Sequence, residues 1–219
     1  AARTEQNITG STQFGRGKIV QRYGGPEYRL SMRYSLDVNT SIKAAINRNR
    51  QYLSMLFNSA TVSPTATWKL SDQHVLPQTG DQASLGIYRN FQDDQWELSL
   101  EGYYKKIQDM LDYKAGADLL LNDHLETEVV NGEGRAYGLE FLVRKNGRKL
   151  NGWLSYTYSK TRFRTQSPFS QDQINQGEWF PTNFDKPHDI SPGANYKFTR
   201  RFSASANFVY QTGRPVTFP

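Results

Sequence analysis

Few residues of this sequence have the type and spacing that catalysis or metal binding requires. Three histidines are widely separated and form no metal-binding motif: His74, His124 and His188. An acidic cluster near the middle of the chain consists of Asp118, Asp123, Glu126 and Glu128. Its spacing lacks the alternating Asp/Asn pattern and central glycine of a calcium loop. A solvated acidic loop is therefore favoured, with calcium binding as the alternative.

The sequence also lacks convincing motifs for nucleophilic catalysis and for phosphate binding. The chain has no cysteine, which excludes thiol catalysis and cysteine-based zinc sites. No serine lies in a Gly-x-Ser-x-Gly elbow. The glycine-rich stretch at 131–134 precedes a predicted strand, so a loop return is favoured over a phosphate cradle. The sequence predicts a protein that is not an enzyme and has no cofactor and no metal.

Net charge and hydropathy further limit the classes of protein to which the chain can belong. The net charge is +6, but the basic residues are scattered, with no run longer than Lys105-Lys106 or Arg200-Arg201, which argues against nucleic acid as a partner. No apolar stretch approaches the roughly 18 residues that a membrane-spanning helix needs. A membrane barrel remains open, because its strands alternate apolar with polar residues.

The elements that position these side chains are predicted to be strands. Between Tyr28 and Leu36, apolar residues alternate strictly with Arg and Ser, and this period of two indicates a strand with one apolar and one polar face. Similar patterns recur in six further segments, at 42–47, 96–105, 137–144, 152–159, 190–198 and 202–211. An eighth strand is predicted around 83–89, with its facing unassigned. The fold class is therefore all-β, an antiparallel up-and-down meander.

The lengths of the connections alternate along the chain. Short turns are predicted at 37–40, 90–95, 146–149 and 199–201, and long loops at 48–81, 106–135 and 161–187. Since successive connections of antiparallel strands lie at opposite ends of a sheet, all short turns fall at one end. Outer-membrane barrels have this asymmetry, with short periplasmic turns and long external loops. The sequence thus predicts part of a transmembrane outer-membrane β-barrel, with residues 1–27 as an extracellular loop or the end of a preceding strand and 28–219 as the barrel segment.

The two faces have different expected surroundings. Six apolar residues are predicted to point outward, towards lipid: Tyr34, Leu100, Phe141, Tyr156, Tyr196 and Phe208. The lumen-facing polar set is Arg33, Lys43, Glu97, Glu101, Glu140 and Arg144. Cross-strand pairing is expected for most of this set, and contact with a plug or a passing solute is the alternative.

Several segments, in their order and spacing, resemble the barrel of TonB-dependent outer-membrane receptors, especially the Bacteroidetes type with a carboxypeptidase-like regulatory domain. They run from about residue 25 to the end and include 41–53, 97–105, 111–117, 131–140, 152–159, 185–189 and 212–219. The resemblance implies an outer-membrane receptor of a Gram-negative bacterium that imports a scarce solute with energy delivered through TonB. It also implies a plug domain as partner, with a surface lipoprotein as a further candidate. Eight strands fall short of the 22-stranded wall, so the chain is expected to be a barrel fragment without the plug.

Long loops of such a receptor meet the solute first, and loops on a rigid scaffold commonly carry binding residues. The loop at 161–187 holds a set able to stack on rings and pair charges: Arg162, Arg164, Trp179, Phe180 and Asp185. Packing of the loop is the competing interpretation of this set. Siderophore, glycan, peptide and cobalamin all remain open as the solute. Two alternatives to the receptor also remain, a complete small outer-membrane barrel and a soluble ligand-binding β-barrel.

Overall fold

The computed structural model describes residues 3–7, 10–14, 18–56, 67–91, 93–114, 117, 122, 124–165 and 173–215, with the backbone alone at 3–14 and 67. Strands account for most of this part of the chain. The long strands are β3 (Tyr28–Ser35), β4 (Thr40–Gln51), β7 (Gln78–Phe91), β8 (Trp96–Tyr113), β9 (Val129–Asn146), β10 (Leu150–Thr165), β12 (His188–Lys197) and β13 (Ser203–Asn207). The short strands are β1 (Arg3–Asn7), β2 (Gly10–Phe14), β5 (Leu53–Leu56), β6 (Thr67–Leu70), β11 (Phe180–Pro181) and β14 (Tyr210–Gln211). Two 3-10 turns lie at Leu125–Thr127 and Ile174–Gly177.

The eight long strands form one antiparallel meander, as the alternation predicts. Their order in the sheet is β3-β4-β7-β8-β9-β10-β12-β13, so every strand pairs with its neighbour in this sequence order. β11 is added beside β10, and β14 beside β12. Within the described residues, β3 and β13 are the two ends of this order and do not pair with each other. The eight strands therefore form an open sheet and not a closed eight-stranded barrel.

The four short connections lie at one end of the sheet, and backbone hydrogen bonds between adjacent turns show this directly. Asn90 N–H donates to the Asn39 carbonyl (2.9 Å), and Asn146 N–H donates to the Gln95 carbonyl (2.7 Å). Lys197 N–H donates to the Lys149 carbonyl (2.8 Å). The long connections consequently lie at the other end. The predicted segregation of short and long connections is confirmed.

The strands are longer at the long-connection end than the alternation predicts. β8 continues to Tyr113 and β9 begins at Val129, so much of the segment predicted as a loop at 106–135 is strand. The glycine-rich stretch at 131–134, predicted as a loop return, lies inside β9. Likewise β4 reaches Gln51 and β10 reaches Thr165. The alternation of apolar and polar residues ends before these strands end, because their last residues include charged ones.

The register places the apolar residues on a single face. One row of directly paired residues crosses seven strands of the meander and ends on β14, which follows β13 along the chain: Tyr34, Ile42, Ile87, Leu100, Phe141, Tyr156, Ile190 and Tyr210. Directly paired residues share a face of a sheet. Tyr196 lies on the same strand as Ile190 and an even number of residues after it, so both side chains point to the same side. Phe208 N–H donates to the Pro192 carbonyl, which continues the same strand pairing and places Phe208 on that side as well. The predicted shared facing of the six apolar residues is confirmed, and we call this side the apolar face.

The apolar face is largely uncovered by protein. Met32 is 68% exposed, Tyr34 64% and Leu85 61%. The buried hydrophobic residues of the described chain are only Leu56, Val75, Val129, Val130 and Phe163. All five lie at or near the long-connection end, so none of the described residues forms a layer over the body of the sheet on its apolar side.

A small packed cluster does form among the long connections. Leu56 of the β5–β6 hairpin and Val75 pack with Val129, and Leu111, Tyr113 and Leu125 surround them. Asp72 Oδ1 accepts the backbone N–H groups of His74 and Val75, each at 2.9 Å, which holds the turn before β7. The hairpin and this turn are thereby fixed against the tips of β8 and β9. No helix in the described part of the chain is long and apolar enough to cross a membrane.

Candidate functional site

The opposite side of the sheet, which we call the polar face, contains all six residues of the predicted lumen-facing set. Arg33 pairs with Lys43, Lys43 with Gly86, and Gly86 with Glu101 in one cross-strand row. Glu140 follows Glu101 in the same row. Glu97 and Arg144 are directly paired on the same face, nearer the short turns. The six side chains therefore share one face, and the orientation of that face towards the lumen stays a prediction.

Only one pair of this set forms an ion pair. Arg144 Nη1 lies 3.1 Å from Glu97 Oε2, and Asn146 Nδ2 donates to Glu97 Oε1 at 3.0 Å. Both charged side chains are partly exposed, and an exposed pair of this kind contributes at most about 1 kcal/mol. The interaction therefore contributes little to the stability of the fold.

The other four residues stand opposite like charges, and among the described residues no ion pair forms between them. Arg33 is the direct partner of Lys43, and Glu101 is the direct partner of Glu140. Like charges directly opposite each other on a sheet are destabilising. Tyr88 reduces the repulsion between Glu101 and Glu140, since its hydroxyl donates to Glu101 Oε2 at 2.5 Å. The polar face thus has a cationic area on β3–β4 and an anionic area on β8–β9, each able to receive groups of opposite charge.

A cleft of about 520 Å³ lies on the polar face near the short turns. Its lining is rich in amides and consists of Arg144, Asn146, Asn151, Gly152, Trp153, Ala194, Asn195, Ser205 and Asn207. The Trp153 ring lies directly over Gly193, where a Cβ would collide with it. Asn195 Nδ2 donates to Ser205 Oγ at 2.7 Å across the last strand pair. The cleft offers an aromatic platform with neutral hydrogen-bonding groups around it.

Trp179 of the predicted solute-binding set contacts two arginines. Its ring centre lies 4.2 Å from Arg135 Cζ and 4.8 Å from Arg164 Cζ. Arg164 Nη2 also donates to Glu133 Oε2 at 2.9 Å. By register, Arg135 and Arg164 lie on the apolar-face side of β9 and β10. The segment before β11 is therefore held against that side of the sheet.

Phe180 points to the other side. It pairs with Phe163 in the β10–β11 ladder, and the two rings meet edge to face with centres 5.5 Å apart. Phe163 is 1% exposed, and its ring occupies the space that a side chain at Gly132 would need. The glycine at 132 within β9 therefore makes room for Phe163. Phe180 remains partly exposed on the polar-face side of the sheet.

The last two members of the predicted set differ in exposure. Asp185 is only 2% exposed. Its Oδ1 accepts the Thr161 N–H at 2.7 Å, and Lys160 Nζ lies 3.7 Å from its Oδ2. Arg162 is exposed and faces the apolar-face side beside Arg135. The structure thus brings the five residues to one region but divides them between two faces, and their binding of a solute stays a prediction.

The predicted acidic cluster is described only in part, since Asp118 and Asp123 lie outside the described residues. Glu126 Oε1 lies 2.9 Å from Lys69 Nζ and 3.5 Å from His124 Nδ1. Burial acts to raise the pKa of Glu126, but hydrogen bonds from Lys69 and His124 outweigh it and lower the pKa below its ordinary value. Glu126 therefore acts as an anchor between the β5–β6 hairpin and the turn at Leu125–Thr127. Across the described ranges, no three His, Asp or Glu side chains are grouped as metal ligands would be.

Sequence reasoning missed the cations at the ends of the long strands, chiefly Lys106 and Arg135, and the amide-rich cleft around Trp153. Lys106 and Arg135 lie beyond the last apolar residue of each predicted strand. Continuing the period of two past that residue would have placed them on the apolar face. The cleft had no comparable signal, because it depends on which strands become neighbours.

Comparison with protein families supplies one finding. The model of a family described as TonB dependent receptor-like, beta-barrel matches residues 3–217. None of the curated proteins compared with this sequence matches it. The family match covers nearly the whole chain and agrees with the antiparallel meander, its segregated turns and its two unlike faces. The chain belongs to the TonB-dependent receptor family and matches its β-barrel domain.

Proposed function

We propose that this chain forms part of the wall of an outer-membrane receptor that binds a scarce solute and imports it with energy delivered through TonB. The observation that carries the proposal is the uncovered apolar face, which crosses the sheet in continuous rows. On β8 its residues run from Trp96 to Tyr104, nine positions, and a tilted membrane strand needs about 9–11 residues.

The exposed apolar face also argues against the soluble alternative. A soluble monomer rarely exposes a contiguous apolar patch larger than a few hundred Å². Here exposed apolar side chains such as Leu30, Leu100 and Leu139 recur from strand to strand. Lipid is the covering that fits their arrangement. The complete small barrel fits less well, because the described β3 and β13 do not pair with each other.

The polar face would line the lumen and meet the plug domain or the passing solute. Its cationic pair, Arg33 and Lys43, and its acidic pair, Glu101 and Glu140, favour partners that bring charges of opposite sign. TonB and the plug are partners of the whole receptor in this proposal. The Bacteroidetes type, the regulatory domain and a surface lipoprotein partner remain further parts of the proposal that rest on sequence resemblance alone.

Solute capture is proposed for the connection between β10 and β12, with its residues in two roles. Phe180, on the polar-face side, would contact the solute, while Arg164, Trp179 and Asp185 would hold the segment in place through the contacts described above. Phe180→Ala should then weaken solute binding, and it should also lower stability because the edge-to-face contact with Phe163 is lost. Arg164→Ala or Trp179→Ala should weaken binding only as far as it loosens the segment, measured as faster hydrogen exchange at 173–185.

The transport proposal is tested by uptake in cells. The full-length receptor is expressed in a Gram-negative host, with and without functional TonB, and four labelled probes are offered: a ferric siderophore, cobalamin, an oligosaccharide and a peptide. Uptake of one probe that requires both the receptor and TonB supports the proposal. Uptake that persists without TonB contradicts energy coupling and leaves the barrel assignment unaffected.

A further inference from the structure

Cations gather on the apolar face just beyond its apolar rows, at the long-connection end. One cross-strand row spans five strands and consists of Arg48, Asp81, Lys106, Arg135 and Arg162. Four of its five members are basic. Lys160 and Arg164 lie on the same face of β10, on either side of Arg162. We call the six cations of this region the basic belt.

The carboxylates nearby do not neutralise the basic belt. Arg48 is bound by both oxygens of Asp81, at 2.6 and 2.9 Å. Lys106 and Arg164 share a single carboxylate, Glu133, at 3.4 and 2.9 Å, and Lys160 lies 3.7 Å from Asp185. Three carboxylates therefore face six cations.

Two members of the basic belt have no acidic partner. Among the described residues, neither Arg135 nor Arg162 is paired with a carboxylate, and Arg162 is exposed. The basic belt therefore has an excess of positive charge on a face that is otherwise apolar.

The neighbouring residues place the basic belt at a membrane–water boundary. The next row towards the apolar side contains the directly paired Tyr104 and Tyr137. On the other side, Trp179 stacks against Arg135 and Arg164. Tyr and Trp are the residues enriched where hydrocarbon gives way to headgroups. The basic belt lies at that level, where charges meet lipid headgroups.

We propose that the basic belt binds the phosphate groups of anionic lipid headgroups in the leaflet next to the long connections. The inference rests on the proposed placement of the apolar face against lipid. Guanidinium groups bind phosphate oxygens through paired N–H donors, which suits Arg135 and Arg162. Phosphate also supplies the negative charge that the row itself lacks.

The test uses the full-length receptor in a neutral detergent. It is titrated with short-chain phosphatidylglycerol, short-chain phosphatidylcholine and inorganic phosphate, and binding is measured by calorimetry. Each cation near a membrane surface contributes about fivefold to the affinity for anionic lipid. Arg135→Gln with Arg162→Gln should therefore weaken phosphatidylglycerol binding by roughly 20- to 30-fold. Phosphatidylcholine binding should be unchanged, and inorganic phosphate should bind far more weakly than phosphatidylglycerol.

The matched control is Arg33→Gln with Lys43→Gln, which removes two charges from the polar face and should leave lipid affinity unchanged. Arg162→Gln alone removes no described ion pair and should still lower the affinity about fivefold. Equal losses in the two double variants, or none in the belt variants, would overturn the proposal. Tight binding of inorganic phosphate alone would also overturn it, since the site would then select the free ion. Flotation of the wild-type receptor with phosphatidylcholine vesicles tests membrane placement separately, because it does not depend on the basic belt.

Discussion

Leu100 provides a sensitive test of the environment of the apolar face. It lies on β8 four residues from Trp96 and four from Tyr104, the ends of the apolar run on that strand. At about 3.3 Å per residue, each end is roughly 13 Å away along the strand, which places Leu100 near mid-bilayer. An arginine at the middle of a lipid-facing barrel strand costs about 2–4 kcal/mol. Leu100→Arg should therefore lower the folding equilibrium constant in lipid roughly 30- to 700-fold.

Ser99→Arg is the matched control. Ser99 is adjacent on the same strand but pairs with Tyr88 and Leu142 on the polar face, where Glu97 and Glu101 lie two positions away on either side. An arginine there meets carboxylates and not hydrocarbon. Urea titration of the full-length receptor in phosphatidylcholine vesicles, followed by tryptophan fluorescence, measures both free energies of unfolding. Equal losses for the two variants would refute the assignment of the apolar face to lipid.

Three further predictions concern the long-connection end and its packing. Gly132→Ala should destabilise the fold by about 1–3 kcal/mol, because a Cβ there meets Phe163 Cζ at 2.6 Å and the Arg164 carbonyl oxygen; Gly24→Ala, with no atom within 4 Å, should be nearly neutral in the same denaturation assay. The Glu126–Lys69 pair should stabilise the loop cluster at neutral pH and lose this contribution as pH falls from the ordinary glutamate pKa through the lowered pKa of Glu126. The hydrogen-exchange protection factors at 67–77, which are corrected for the pH dependence of intrinsic exchange, should therefore fall in acid in the wild type and fall less in Glu126→Gln. Burial raises the pKa of Asp112, so the fold favours the protonated carboxyl and loses stability as pH rises through the raised pKa. Asp112→Asn should therefore raise the melting temperature more at pH 7 than at pH 4. An equal gain at both pH values would contradict this.

Much of the fold was predictable, because apolar and polar residues alternate along the strands of a sheet that has one apolar and one polar face. The strict alternation from Tyr28 to Leu36 exists because one face meets apolar surroundings and the other meets polar ones. The segregated turns were predictable for a similar reason, since connection length can be counted along the chain. Neither inference needs knowledge of which strands are neighbours.

The candidate site was less predictable, because it depends on pairing across strands. That Arg33 opposes Lys43 and Glu101 opposes Glu140 follows from register, which single segments do not show. The strand ends were also missed, since the alternation gives way to charges at Lys106 and Arg135 while the backbone pairing continues. A one-residue irregularity between Ile107 and Met110, with Asp109 at φ 56°, further interrupts the pattern there.

The division of the loop residues shows the same difficulty. Trp179 and Phe180 are adjacent in sequence and both aromatic, so the sequence groups them into one binding set. Trp179 lies just before β11 and contacts Arg164, whereas Phe180 lies within β11, pairs with Phe163 and contacts its ring. Only the formation of β11 in this connection reveals the distinction.

The alternation of lipid and water along β8 tests the central claim most directly. This chain has no cysteine, so a single cysteine can be introduced at each position from 97 to 104 in the full-length receptor, with any cysteine elsewhere in that receptor replaced by serine, and spin-labelled. In phosphatidylcholine vesicles, the accessibility of each label to oxygen, which concentrates in lipid, is compared with its accessibility to a water-soluble nickel chelate. The account predicts high oxygen accessibility at the even positions and higher chelate accessibility at the odd ones. The same ratio at odd and even positions would contradict it.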